Sequence, residues 1–175
     1  MRNVAAIILA AGKGTRMKSS LHKVLHPLAG HPMLAHLLAS VDALAPAKRV
    51  IVVGSGREQV EAFAAAHDAA LAGQEPQLGT AHAVQQAEGA LAGFTGDILI
   101  LYGDVPMVSS ATMKAMLDRL GEADAPLAVV LGFTPDDPLA YGRVIAKDGT
   151  IEKMVEYKDA SPEERAVTLC NSGLM

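Results

Sequence analysis

Hydrophobic and polar positions divide the chain into short apolar runs that alternate with segments of helical period. Val4 to Leu9 is an unbroken aliphatic run closed by a glycine-rich stretch, the pattern of a strand buried on both faces of a parallel sheet. It is expected to be the first, central strand. Residues 10–31 hold no sustained period and contain Gly12, Gly14, Pro27 and Gly30, so they predict a long loop with room for one turn of helix. Loops beyond about 12 to 15 residues are uncommon unless they bind something.

Pro32 is placed as the first residue of a helix in which Met33, Leu34, Leu37, Leu38, Val41 and Leu44 recur at helical spacing. Arg49 to Val53 predicts a strand ended by the Gly54-Ser55-Gly56 turn. A helix over 57–66 and a short strand around 69–71 follow. Gly79-Thr80 opens a helix expected to reach Ala90, Asp97 to Leu101 reads as a strand, and Ser109 to Leu120 as a helix with a serine at its start. Strand alternating with helix four times predicts a doubly wound, Rossmann-like α/β fold with a mostly parallel sheet. The last third differs. Leu127 to Phe133 and Arg143 to Ala146 read as strands, and Asp148-Gly149 predicts a hairpin into Ile151 to Val155, so an antiparallel lobe is expected beside the parallel part.

Composition narrows the function classes. Half of the 175 side chains are apolar and the net charge is −4, which excludes a disordered chain and predicts one soluble globular domain. Cys170 is the single cysteine, so no internal disulfide forms and a cytoplasmic setting is the default. No apolar stretch is long enough to cross a membrane. The charge is unevenly spread: residues 1–41 carry Arg2, Lys13, Arg16, Lys18 and Lys23 and no acid. With only six aromatic residues in the chain, a compact positive pocket for a small polyanion fits this segment better than a nucleic-acid-binding arm.

In an open α/β sheet, ligands bind beyond the carboxyl ends of the strands. Leu9-Ala10-Ala11-Gly12-Lys13-Gly14-Thr15-Arg16-Met17 follows the first strand and so lies at such an end. Its glycines let backbone N–H groups approach a phosphate, with Lys13, Arg16 and Lys23 adding charge. It has neither Walker spacing nor the third glycine of a dinucleotide fingerprint, where Met17 stands. No acid ends the strand closing at Val53, which also disfavours a dehydrogenase. Asp104, one step past an apolar strand in a Gly-Asp-x-Pro turn, is a carboxylate at another such strand end, with a turn-stabilising role as the alternative to a ligating one. His22 and His26 share a helical spacing but lack a third ligand. Met107, Met113 and Met116 read as core, and Cys170 as a buried thiol.

The glycine-rich segment with Lys23-Val24-Leu25-His26 resembles the signature of sugar-1-phosphate nucleotidyltransferases, most closely the uridylyltransferase domain of their bifunctional uridylyltransferase/acetyltransferase branch. Further matches follow in order: Gln74 with Gln77-Leu78-Gly79-Thr80-Ala81-His82-Ala83, Tyr102-Gly103-Asp104-Val105-Pro106, Tyr141-Gly142-Arg143, Val155-Glu156 with Lys158-Asp159, and Asn171.

The resemblance implies Mg²⁺-dependent transfer of UMP from UTP to N-acetylglucosamine 1-phosphate, giving pyrophosphate and UDP-N-acetylglucosamine for cell-wall and lipopolysaccharide precursors. It implies that Leu9, Ala10, Ala11, Gly12 and Gly14 contact the nucleotide, that Arg16 and Lys23 hold phosphates and act in catalysis, and that Gln74, Gly79 and Thr80 read uracil. Asp104 would bind Mg²⁺, while Tyr102, Gly103, Gly142, Glu156 and Asn171 would hold the sugar. Two departures stand out. His22 occupies the place of the family's usual proline, and residues 1–175 lack a second metal-ligating Asn and the trimerising acetyltransferase half, so the domain is expected to be C-terminally incomplete and its parent a homotrimer. A nucleotidyltransferase using CTP or GTP and a non-catalytic nucleotide-sugar-binding module remain open alternatives.

Overall fold

In the computed structural model, residues 3–12, 14, 17–54 and 56–175 are described, and the chain forms two compact units that meet at Asp118 and Arg119. In the first unit, β1 (Val4–Ala10) is buried at all seven positions. A 3₁₀ turn (Lys23–Leu25) and a two-residue hairpin, β2 (Pro27–Leu28) with β3 (His31–Pro32), occupy the expected loop. The chain continues through α1 (Met33–Asp42), β4 (Lys48–Val53), α2 (Glu58–Ala65), β5 (Ala70–Gly73), α3 (Thr80–Gln86), β6 (Asp97–Tyr102) and α4 (Ser110–Leu120).

Four strands form one parallel sheet in the order β5-β4-β1-β6, with Ile7 opposite both Val50 and Ile100. β1 is therefore central, as its unbroken apolar run predicts. Ile7, Leu9, Ala11, Val50, Val52 and Ala72 pack with Ala83 and Ala87 of the α3 segment. Ala6, Ile8, Ala10, Ile51 and Val53, which alternate with them, are equally buried. Both faces of the sheet are thus covered, which is why β1 and β4 read as continuous rather than alternating apolar runs. In α1 the predicted stripe Leu34, Leu37, Leu38 and Val41 is buried, each side chain contributing about 1.5–3 kcal/mol of transfer free energy. Pro32 stands one place before the helix, as its cap.

The helix expected to run to Ala90 ends at Gln86 and passes into turns that continue to Phe94, where Gly89 and Gly93 lower helix propensity. Met113 and Met116 are buried, but Met107 is 78% exposed: it lies in the turn between β6 and α4, so the core reading fails for it. The spacing of the three methionines has no structural meaning when only two share a helix.

The second unit is an antiparallel sheet in the order β7-β10-β8-β9, from β7 (Gly132–Phe133), β8 (Arg143–Lys147), β9 (Thr150–Val155) and β10 (Cys170–Asn171), with a short helix α5 (Pro162–Arg165) before β10. Asp148 and Gly149 both take positive φ, 50° and 79°, the geometry a two-residue hairpin turn requires. The strand expected from Leu127 shrinks to Gly132–Phe133, because β10 offers pairing to only those two residues; Leu127 is fully exposed. Cys170 is a buried free thiol.

Candidate functional site

From β1 the chain builds β4 and β5 on one side and returns to place β6 on the other, so the strand order reverses between β1 and β6. Crevices at such a reversal collect ligands. A cleft of about 380 Å³ lies there, lined by Leu9, Ala10, Ala11 and Gly12 after β1, Lys23 and Val24 of the 3₁₀ turn, Gln74 and Gln77 after β5, Gly79, Thr80 and Ala83 at α3, and Tyr102 and Asp104 after β6. Eight nucleotide-site residues singled out in the sequence thus line one cavity together with Tyr102 and Asp104. Gly103 is buried beneath it, donating its N–H to the Leu9 carbonyl at 2.9 Å. Arg16, with Lys13, lies outside the described residues.

Lys23 Nζ donates to the Asp104 carboxylate, and both side chains remain about one-third exposed to the cleft. Gly14 sits against the Lys23 stem with φ +61°, and a Cβ there would stand 2.6 Å from Lys23 Cβ; only glycine combines that conformation with that approach. The turn that presents Lys23 is tied to α2, because the His22 N–H donates to Gln59 Oε1 at 2.9 Å and Gln59 Nε2 donates to the Ser20 carbonyl at 3.0 Å. A proline in place of His22 would have no N–H for Gln59. The His22 side chain is 7% exposed with neither ring nitrogen hydrogen-bonded, and burial lowers its pKa below the ordinary 6.5 by disfavouring the charged ring.

On the other wall, Gln74 is 3% exposed. Its N–H donates to the Val53 carbonyl at 2.7 Å, and its Nε2 donates to the Gly79 carbonyl at 2.9 Å and lies 3.3 Å from His82 Nδ1. The carbonyl partner fixes the amide with nitrogen toward Gly79, leaving Oε1 as acceptor. Gly79 holds φ +108°, ψ −178° ahead of Thr80, a backbone open essentially to glycine alone. Gln77 Nε2 donates to the Ala11 carbonyl at 2.5 Å, joining the β5 side of the cleft to the end of β1. Gln77, Val24 and Ala83 are the lining residues given no role from the sequence. Gln77 stood inside a quoted motif, but its contact with Ala11 spans 66 positions of chain and leaves no local signal.

Among the described residues Asp104 is the sole carboxylate on the cleft wall, and no group of three or more His, Cys, Asp or Glu side chains could cage a metal. A lone carboxylate on the wall of an open cleft suits an ion such as Mg²⁺, which keeps water and substrate phosphate in its shell, and does not suit structural zinc.

In the second unit, Gly142, Glu156 and Asn171 come together. The Asn171 N–H donates to the Gly142 carbonyl at 2.9 Å, and a Cβ on Gly142 would lie 3.6 and 3.7 Å from the Glu156 carboxylate oxygens and 3.3 Å from the Val155 carbonyl. The absence of a side chain at Gly142 leaves that carboxylate accessible.

The family model of the MobA-like NTP transferase domain matches residues 6–166. Bifunctional protein GlmU from Rhizorhabdus wittichii is 68% identical over 99% of this chain and 39% of that protein, and Bifunctional protein GlmU from Zymomonas mobilis subsp. mobilis is 58% identical over 98% and 39%. The chain spans about two fifths of the length of these curated relatives. Among solved structures, a Bacillus anthracis chain assigned as a glucose-1-phosphate thymidylyltransferase superposes with a TM-score of 0.77 at 20% identity, covering 98% of this chain and 70% of that one. A nucleotidyl transferase from Methanothermobacter thermautotroptrophicus gives 0.56 at 26% identity, over 66% and 57%.

Proposed function

The chain belongs to the MobA-like NTP transferase domain family, and from that premise we propose that it transfers UMP from UTP to N-acetylglucosamine 1-phosphate with Mg²⁺, releasing pyrophosphate. One observation carries the proposal: a cation, a carboxylate, a glycine-lined backbone and a buried amide meet in a single cleft at the sheet's point of reversal. The 68% identity to a protein named Bifunctional protein GlmU supports the bifunctional branch that the motifs resemble, and the choice of acceptor is taken from that resemblance.

Attack of one phosphate on another gathers negative charge, so the site must supply cations and alignment. In this reading Lys23, with Arg16, takes the phosphates, and the peptide groups of Leu9 to Gly12 and Gly14 line their path. Gln74 Oε1, its amide turned by Gly79, accepts from the N3–H of uracil, and Thr80 closes the base pocket. Asp104 holds Mg²⁺, which when bound neutralises phosphate charge. Lys23 and Asp104 pair with each other, so phosphates that engage Lys23 would leave the carboxylate to the metal. Within the second unit, Gly142, Glu156 and Asn171 are assigned to the sugar phosphate. Residues 1–175 would form the nucleotidyltransferase domain of a longer cytoplasmic, homotrimeric protein.

The test is turnover: UTP, N-acetylglucosamine 1-phosphate and Mg²⁺ are incubated with a full-length protein carrying this domain, and both pyrophosphate and UDP-N-acetylglucosamine are quantified. Equal amounts of the two products support the proposal. Pyrophosphate with CTP or GTP but not UTP transfers it to a sibling chemistry.

A further inference from the structure

We infer that Arg143 is a positioning residue for the acceptor sugar, a buried guanidinium that fixes Gly142 and the Glu156–Tyr157 turn through backbone carbonyls and an aromatic ring. The inference rests on the assignment of Gly142, Glu156 and Asn171 to the sugar phosphate.

Arg143 opens β8 and is 2% exposed. A buried cation ordinarily keeps a counter-charge, yet among the described residues no carboxylate forms an ion pair with it. Its donors go to peptide carbonyls instead. Nη1 donates to Tyr141 and, at 3.4 Å, to Pro138; Nη2 donates to Leu139 at 3.4 Å; Nε donates to Arg165 at 3.4 Å. Three of these four carbonyls belong to the turn that delivers Gly142.

The same guanidinium covers the Tyr157 ring, 5.3 Å from its centroid. Arg165 covers that ring as well, at 4.7 Å, and donates from Nε to the Tyr157 carbonyl at 3.1 Å. Tyr157 directly follows Glu156, so two cations hold the residue next to the carboxylate. Asn171 joins through its N–H to Gly142 and follows Cys170, whose sulfur lies 3.8 Å from Arg143 Nη1. All three sugar-cluster residues thus border groups that one side chain fixes. A planar fork of five donors can hold several carbonyls and a ring together, whereas a lysine ammonium cannot span them.

The experiment compares the chain with its Arg143→Lys and Arg143→Met variants by calorimetric titration with UTP and, separately, with UDP-N-acetylglucosamine, each with Mg²⁺, after circular dichroism has verified folding. Misplacing contacts by about an ångström costs up to about 10²-fold, so both variants should bind UDP-N-acetylglucosamine about 10 to 100 times more weakly while UTP affinity stays within about twofold. Failure of lysine to rescue separates the donor fork from charge alone. Unchanged affinity for both ligands, or an equal loss for both, overturns the inference. Should the Arg143 variants not fold, Tyr157→Leu, which removes the stacking and no carbonyl bond, must show the same one-sided loss or the inference falls. A wild-type chain that binds UTP but not UDP-N-acetylglucosamine overturns the acceptor assignment itself, an outcome distinct from variants that retain wild-type discrimination.

Discussion

Replacing Gly54 by alanine tests how tightly the cleft is built. A Cβ there would lie 2.2 Å from Gln77 Nε2 and 2.5 Å from the Ala11 carbonyl oxygen. Gln77 can swing aside, losing its hydrogen bond to Ala11, worth about 1 kcal/mol. The carbonyl cannot, because it follows directly on the central strand β1 and must move by at least about half an ångström to reach 3.0 Å. Overpacking of this kind costs about 1–3 kcal/mol, so Gly54→Ala should destabilise by roughly 2–4 kcal/mol. At about 2–4 °C per kcal/mol for a chain of this size, the melting temperature should fall by roughly 5–15 °C. Gln77→Ala, which removes only the hydrogen bond, should cost about 1 kcal/mol. Thermal and urea unfolding of the three proteins, followed by circular dichroism, reads both. A Gly54→Ala protein as stable as wild type, or less destabilised than Gln77→Ala, would refute the reasoning, since the Ala11 carbonyl would then be free to move.

Lys23→Ala and Asp104→Ala should each lower turnover of an active full-length parent by about 10² to 10³, while changing stability by less than about 1 kcal/mol because the pair is partly solvated; steady-state kinetics beside urea midpoints check the split. Stability should also fall as pH drops through 6.5. The unfolded chain protonates His22 near 6.5, whereas the buried ring takes up its proton only at lower pH, so the unfolded state binds more protons in that window and gains. Urea midpoints at pH 7 and pH 5.5 should therefore differ more for wild type than for His22→Gln, and equal differences would sink this prediction.

What the sequence revealed depended on how far each signal reaches along the chain. The run Val4 to Leu9 announced a strand buried on both faces, and Leu34, Leu37, Leu38 and Val41 announced the buried face of α1, because both patterns follow from local geometry. Ten proposed nucleotide, sugar and metal residues gather on one cleft because each sits at a strand end or helix start, places that punctuation residues such as Gly12 and Gly79 mark. Elements that need a distant partner were less visible. Leu127 looks like strand but β10 is too short to pair it, and Met107 looks like core although the turn after β6 points it to solvent. Gln77 and Arg143 show the same limit from the other side. Both stood inside motifs, yet their contacts with Ala11 and with the carbonyls of residues 138–141 exist only once the chain is folded.

The most direct test of the central claim is calorimetric titration of this chain with UTP, CTP, GTP and ATP, each with Mg²⁺. The cleft residues assigned to base and phosphate lie in the first unit, so nucleotide preference can be read without turnover. The account predicts that UTP binds at least about tenfold more tightly than the other three, a difference of about 1.4 kcal/mol, and that Gln74→Ala abolishes the preference. Equal affinity for all four, or preference for another base in a folded sample, would contradict it.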